Sequence, residues 1–363
     1  MVEMLIWFDC NTPKDSLIFA QMGFRLKKLG HEVLFTAREY DCTIDLLKMQ
    51  GIKPYIVGKY GGKDLKGKLI AYLNKSLNLV TLFENLGRYP DLSIHFASPE
   101  AARVAFGLGI KNVCFHDTIN AIAVMKLTIP LVDALLLSYT IPKEAYRHLI
   151  PEDKIFIYNG IENLEYLRNI EGDEREKKLL GIDDDKIKIL IRPEEAYAAY
   201  YLRFSGGEPL PYTYKIIDTL SEHFDNLQFI VLPRYEEQKR ALMRIISEKQ
   251  LDIVIPRRPI IVPKILPFID MVLTGGLSIG IDAGLLGIPS VIYYPGKLAM
   301  DYTLQNSEFP FWHITNLEET IDFAMKILRN PDKYKRDTHQ LLEKMELPSD
   351  KLIDILPNIF EKL

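Results

Sequence analysis

The sequence is poor in the residues that lock small folds covalently. Its three cysteines, Cys10, Cys42 and Cys114, are far apart and odd in number. No C-x-x-C occurs, which excludes a zinc ribbon and a disulfide framework and suits a reducing cytoplasm. Long apolar runs are also missing. Met1 to Phe8 is apolar but short and is closed at once by Asp9, so it does not read as a secretion signal. The longest such region, Ala121 to Leu137, is interrupted by Lys126, Pro130 and Asp133 and does not read as a membrane span. An excess of one charge is absent too, because 45 basic residues against 49 acidic ones leave a net −4. Nucleic-acid affinity rests on many phosphate contacts, so this balance excludes a general polyanion binder.

What is present is ordinary globular material, 48% apolar and 26% charged over 363 residues. At about 150 residues per domain, two domains are expected. The chain alternates strand and helix patterns from its start. Met4 to Phe8 is a compact apolar run, the form of a buried parallel strand. Asn11, Thr12 and Pro13 then open a helix with Asp15 in its first turn, and Gly30 stops it. Strands are expected at Val33–Thr36, Pro54–Val57, Leu92–Ala97, Val113–His116 and Ala134–Ser138. Helices are expected at Ile44–Met49, about Asp64–Leu86 and Pro99–Leu108. After a charged stretch, Glu171 to Lys178, a second set of strands follows at Ile187–Ile191, Leu227–Leu232, Asp252–Ile255, Met271–Leu273 and Ser290–Tyr294. The tail from Leu317 reads as helical. Strand–helix repetition without a break means a parallel sheet wrapped by helices, here twice. The fold class expected is α/β, with two Rossmann-like doubly wound domains facing a cleft. The domains run 1–165 and 166–345, and the cleft is the expected site.

Chemistry-bearing residues cluster at the expected strand ends. Thr274-Gly275-Gly276-Leu277-Ser278 joins a strand to the helix Ile279–Leu286. Glycines there let the backbone approach a ligand, and a helix N-terminus favours an anion, typically phosphate. Ser278 is the expected N-cap. Gly276, Gly280 and Gly284 also offer a smooth helix face for packing, and both readings hold together. Arg192, Arg234, Arg257 and Arg258 follow strands of the same sheet, and a guanidinium fork matches phosphate oxygens. In the first domain Asp9 and the run His116-Asp117-Thr118 end strands, where each acid serves either as general base or as a helix cap. His116 offers a base at neutral pH.

Two tempting motifs carry less. Gly62 to Leu69 nearly fits a phosphate loop, but Leu69 stands where a hydroxyl residue would hold Mg²⁺, and the match reads as coincidence. Asp183-Asp184-Asp185 reads as a solvated turn rather than a metal site, since consecutive carboxylates cannot all face one ion.

Three longer stretches carry a resemblance. They are Gly30-His31-Glu32-Val33, Ser98 through Gly109, and Asp282 through Pro289. With the two-domain layout they resemble GT-B proteins, the architecture of many nucleotide-sugar glycosyltransferases and of UDP-N-acetylglucosamine 2-epimerases. They are most similar to a mainly archaeal family of unknown function with that fold. The resemblance implies that the second domain binds a nucleotide-diphosphate sugar, most simply of the UDP type. Gly275, Gly276 and Ser278 would meet its phosphates and Asp282 its ribose, with Arg192 or Arg234 beside the leaving diphosphate. The first domain would hold the acceptor and the base, Asp117 or Asp9. The last helix, Lys351 to Phe360, within a segment 346–363, would cross back onto it.

Two departures bear on the reaction. Thr274 and Asp282 stand where retaining enzymes often carry glutamates, and Arg192-Pro193-Glu194-Glu195 lacks the histidine that epimerases carry there. Both favour an inverting transferase. Backbone N–H groups at Gly275–Ser278, with Arg192 or Arg234, would stabilise the leaving diphosphate as metal ions do in other folds, so no obligatory metal is expected. A 2-epimerase and a non-catalytic nucleotide- or partner-binding module remain the alternatives.

The small net charge hides one basic stretch. Lys48 to Lys75 holds seven lysines against the single Asp64. They surround the Gly61-Gly62 loop and the start of the long helix, on which Leu69, Leu73, Leu77 and Val80 line one side. A solvated face accounts for them. In the GT-B reading the loop borders the acceptor side, which suits a phosphorylated or lipid-linked acceptor and peripheral contact with the anionic inner face of a membrane.

Overall fold

In a computed structural model, residues 3–62, 64–196, 208–296 and 307–361 of the chain are described. They form two compact units, Met1–Tyr166 with Met345–Leu363, and Leu167–Lys344. Among the described residues no helix is long and apolar enough to cross a membrane.

The first unit is built on strand β1 (Leu5–Cys10), all six residues of which are buried. Neighbours pair with it in parallel on both sides. The sheet runs β3-β2-β1-β4-β5-β6-β7, with β2 Glu32–Glu39, β3 Tyr55–Lys59, β4 Leu92–Phe96, β5 Lys111–Phe115, β6 Ala134–Ser138 and β7 Ile155–Tyr158. Alternate residues of β1 feed two layers. Trp7 meets Phe83 edge-on at 4.9 Å, while Phe8 stacks on Phe35 at 5.3 Å and lies 5.2 Å from Phe19. A strand buried on both faces needs this helix cover on each side.

Helix α1 (Pro13–Lys28) starts where the sequence says it should. Thr12 is the N-cap, Pro13 opens the first turn, and Asp15 completes a capping box. Helix α2 (Thr43–Met49) follows β2. Helix α3 (Leu65–Leu86) is capped by Asp64 and ends at Gly87, whose φ of 68° favours glycine. Helix α4 (Pro99–Leu108) is capped by Ser98.

The chain returns to this unit at its end. Glu346 N donates to the Asn159 carbonyl at 2.9 Å, and Asn159 N donates to Glu346 Oε2 at 2.8 Å. Gly160 is required beneath, because any side chain there would run into the Glu346 carbonyl. The closing helix, Pro348–Glu361, buries Leu352, Ile355, Leu356 and Ile359.

The second unit repeats the topology in the order β10-β9-β8-β11-β12-β13. Its strands are β8 Ile187–Arg192, β9 Leu227–Val231, β10 Ile253–Val254, β11 Met271–Thr274, β12 Ser290–Ile292 and β13 Phe311–His313. Alternation again feeds two cores. Ile189, Ile191, Phe229 and Leu273 pack in one, Leu190, Ile230 and Val272 in the other.

Two edge strands, β7 and β13, carry too weak a pattern to be read in advance. The first buries only Tyr158 and the second is three residues long. The charged stretch from Glu171 contains the helix Glu174–Leu180, capped by Asp173. In each sheet the connection reverses direction once, between β1 and β4 and between β8 and β11. Ligands of open parallel sheets bind beyond the strand ends at such points.

Candidate functional site

In the second unit the switch point brings together the turns after β8 and β11. Gly275 follows β11 and packs so closely on Glu194 that a side chain at position 275 would strike the Glu194 backbone. The Gly275 N–H donates to the Arg192 carbonyl at 3.0 Å, and the Gly276 N–H donates to Thr274 Oγ1 at 3.0 Å. These two amides shape the turn and are already spent. The helix that follows is Ser278–Leu285, and its N-cap is Leu277, which makes no side-chain cap. The expectation that Ser278 caps this helix is therefore corrected. Ser278 is its exposed first residue, and the N-cap side chain gives the first turn no hydrogen bond. Asp282 lies buried in the second turn.

The expected arginines divide. Arg234 Nε donates to the Pro193 carbonyl at 3.2 Å, and its Nη2 lies 2.8 Å from where a Gly276 Cβ would stand. No carboxylate pairs with it among the described residues. Arg192 Nη1 instead donates to the carbonyls of Leu232 and Pro233, at 2.9 and 3.3 Å, and ties β8 to the end of β9. Arg258 forms a two-pronged pair with Glu176 at 3.1 and 2.9 Å. Arg257 follows β10 at the edge of the sheet, three strands from β11, because the order is β10-β9-β8-β11. The expected convergence of four guanidinium groups reduces to Arg234.

Glu194 escaped the sequence reading as a structural group. It is fully buried, accepting from the amides of Tyr212 and Thr213 at 2.9 and 3.3 Å, from Thr213 Oγ1, and from the Tyr293 hydroxyl at 3.2 Å. It holds the start of the helix Thr213–His223 and thereby fixes the turn against which Gly275 packs.

In the first unit Asp9 is corrected as a base. Register places it between Thr36 and His95. Its carboxylate is wholly buried and accepts from Lys75 Nζ, Thr36 Oγ1 and Ser98 Oγ, each at 2.7 Å. Burial alone would raise the carboxyl pKa, but Lys75 and these bonds outweigh it and hold it below the ordinary value. Nor does Asp9 cap α1, since Thr12 does. Lys75 also donates to Asn11 at 2.5 Å, and its stem crosses Gly58 so closely that a Cβ there would lie 2.9 Å from the Lys75 Cβ. One of the seven lysines is thus an interior counter-ion. A lysine in line with Leu79 and Phe83 on the inner face of α3 is the sequence signal for it.

Beyond the ends of β4 and β5 a second charged group gathers. Lys14 Nζ reaches Asp117 Oδ2 and Glu162 Oε1, both at 2.5 Å, and sits 4.4 Å from the Phe96 ring centre. Burial lowers the Lys14 pKa, but the two carboxylates outweigh it and keep the ammonium charged well above its ordinary range. Asp117 keeps 20% of its side chain exposed and also accepts from Thr118 Oγ1 at 2.6 Å. Burial pushes its carboxyl up, and Lys14 pulls it below the ordinary value.

His116 is buried, with Nδ1 2.7 Å from the Tyr146 hydroxyl and accepting from Thr118 N at 3.3 Å. Burial drives its pKa to about 4, so the ring is neutral and holds the turn that presents Asp117. Lys14 and Glu162 were not singled out from sequence. A lysine in the first turn of a helix, where acids are favoured, is the signal for the former.

The near phosphate loop has a structural explanation. Asp64 Oδ1 accepts from Gly67 N at 2.8 Å, so a carboxylate of the chain already occupies that helix start. Asp183 Oδ1 accepts from Asp185 N at 3.0 Å and Asp184 pairs with Lys177 at 2.6 Å, as a surface turn would.

Two parallel-sheet α/β units that share one order over six strands, each with polar groups at the strand ends, define the GT-B class of fold. The chain belongs to the family described as protein of unknown function (DUF354), which matches residues 4–360. An uncharacterized protein of Methanocaldococcus jannaschii is 28% identical over 331 residues, 89% of this chain and 92% of that one. Among solved structures, UDP-GlcNAc 2-epimerase from Neisseria meningitidis bound to UDP-GlcNAc is similar with a TM-score of 0.73 and 16% identity, over 98% of this chain and 100% of that one. The M. jannaschii UDP-GlcNAc 2-epimerase in complex with UDP-GlcNAc and UDP gives 0.71 and 16% over the same shares. Acinetobacter baumannii MurG gives 0.54 and 13%, again over 98% and 100%. At these identities the likeness is one of fold.

Proposed function

We propose that the protein is a nucleotide-diphosphate-sugar enzyme, a glycosyltransferase that inverts the anomeric centre and needs no obligatory metal. The observation that carries this reading is the start of the helix Ser278–Leu285, which lacks a side-chain cap at the β8/β11 switch point and has Arg234 beside Gly276. Amides and dipole of a helix N-terminus, with a guanidinium that no carboxylate among the described residues pairs, suit a diphosphate. They also stabilise negative charge as it develops on a leaving group.

In this reading the glycine turn lets a UDP-type diphosphate approach the start of the helix Ser278–Leu285, Asp282 serves the ribose, and Arg192 shapes the turn through its carbonyl bonds. Asp117 takes the proton of an acceptor hydroxyl as its oxygen bonds to the anomeric carbon. The bond from that carbon to the diphosphate breaks, and its electron pair leaves with the diphosphate. Lys14 and His116 position Asp117. The lysine-bordered loop near Lys66 and Lys68 supports a phosphorylated or lipid-linked acceptor.

A thermal-shift series over nucleoside diphosphates, followed by incubation with UDP-N-acetylglucosamine alone, tests the proposal. UDP should raise the melting temperature by mass action, and no sugar should be converted without an acceptor. Conversion to a 2-epimer in the absence of acceptor would assign an isomerase instead. No stabilisation by any nucleoside diphosphate would leave a non-catalytic module.

A further inference from the structure

Helix α3 is long and apolar, yet it turns much of its apolar surface outward. Leu65, Leu69, Leu73 and Leu77 are 85, 57, 54 and 66% exposed, and Ile70 is exposed with them. The four leucines recur every fourth residue, which makes a ridge about 18 Å long at the rise of an α-helix. Beside it, β3 forms the open edge of the first sheet, where Tyr55, Ile56 and the following Tyr60 are also exposed. The helix is buried through only Lys75, Leu79 and Phe83. An apolar ridge of this extent marks an interaction surface.

The charges around it select the partner. Lys48, Lys53, Lys59, Lys66 and Lys68 are exposed, and none makes an ion pair among the described residues. From Lys53 to Leu82 the only acid is Asp64, whose carboxylate is engaged with the Gly67 amide. Glu39, the register partner of Lys59, stands on the neighbouring strand, and Asp41 and Asp45 lie on the loop and helix after it. Two copies meeting through this face by a two-fold axis would set the same lysines against each other. An occupant that is negatively charged at its surface, apolar beneath it and able to take tyrosines at the boundary satisfies every group on this face.

We propose that the α3 ridge and the β3 edge dock on the headgroup layer of an anionic lipid bilayer, with Leu69, Leu73 and Leu77 entering the acyl boundary and Lys59, Lys66 and Lys68 meeting lipid phosphates. The proposal rests on exposure and charge in the first unit and is independent of any nucleotide bound by the second.

Co-sedimentation of the full chain with vesicles tests it. Vesicles of phosphatidylcholine with phosphatidylglycerol should bind the protein at low salt, and pure phosphatidylcholine vesicles should bind it far less. Binding should weaken as salt rises. Each lysine near an anionic surface contributes a factor of about five, so Lys59→Glu/Lys66→Glu/Lys68→Glu should lower partitioning about a hundredfold or more. Leu69→Ser/Leu73→Ser should weaken it at every salt concentration, with a nearly unchanged circular dichroism spectrum because both side chains are more than half exposed. Equal binding to neutral and anionic vesicles, no binding by the native chain, or variants that bind like the native protein would overturn the proposal. So would a native dimer, by light scattering, that becomes monomeric on Leu73→Asp while never binding vesicles. UDP binding by the same samples reports separately on the second unit.

Discussion

Lys75 Nζ stands 2.7 Å from Asp9 Oδ2, an ion pair between residues 66 positions apart that is buried on both sides. The carboxylate's other partners, Thr36 and Ser98, come from β2 and the start of α4, so one charge pair ties β1, α3 and their neighbours together. Removing one partner of such a pair leaves an uncompensated buried charge and costs about 3–5 kcal/mol. Lys75→Met should therefore lower the urea midpoint by that equivalent. Asp9→Asn combined with Lys75→Met should recover much of the loss. A Lys75→Met protein as stable as the native one would mean that Asp9 reaches solvent and is open to a chemical role.

Stability should depend on pH through three buried groups. Burial lowers the pKa values of His95 and His116 to about 4, against about 6.5 unfolded. Between these values the unfolded chain binds the protons first, so each histidine removes stability as pH falls from 6.5 towards 4. Asp15 acts in the opposite sense. Burial raises its carboxyl to about 6, so the folded state takes up its proton first and gains stability as pH falls below 6. Melting temperature should therefore fall more steeply on acidification in Asp15→Asn than in the native protein, and less steeply in His95→Gln. Parallel curves for all three would contradict these environments.

Arg234 should matter to ligand and little to folding. A charge-assisted hydrogen bond contributes about 1.5–3 kcal/mol, so Arg234→Gln should raise the Kd for UDP about tenfold or more. Its melting temperature should stay close to the native value, as for surface substitutions that break no buried pair. Gly276→Ala places a Cβ 2.8 Å from Arg234 Nη2 and should weaken UDP by displacing that group. Calorimetric titration measures both. UDP affinity unchanged in Arg234→Gln would place the phosphates elsewhere.

Lys14 is shared by two carboxylates, and this orders the effects of its neighbours. Lys14→Met leaves Asp117 and Glu162 facing each other without a counter-ion, whereas Asp117→Asn leaves the Lys14–Glu162 pair intact. Thermal unfolding at neutral pH should show the larger loss for Lys14→Met. Turnover, once a donor and acceptor are in hand, should fall sharply for Asp117→Asn although its fold survives.

Much of the architecture is legible in the sequence. Ala134–Ser138 and Pro99–Leu108 fall where their patterns place them, and Thr12 and Asp15 cap α1 as their spacing requires. These features depend on residues a few positions apart. The strand Phe311–His313 was not legible, because three residues are too few to show a period. The site was legible by location more than by role. Gly275, Arg234 and Asp117 stand at strand ends near a switch point. Nothing local distinguishes Arg234, which no carboxylate pairs among the described residues, from Arg258, held by Glu176.

The alternation of apolar runs, the turn residues and the helix starts follow from covalent neighbours and side-chain periodicity, and they suffice to dictate two parallel α/β sheets. Which charges remain available is a matter of register and strand order. Register sets Asp9 between Thr36 and His95, where Lys75 can reach it, and the β8/β11 crossover sets Arg234 beside Gly276. The direction of the α3 leucines belongs to the same level. Spacing shows that they share a side, but only packing against β3 tells that this side faces outward, because the inner face is claimed by Lys75, Leu79 and Phe83.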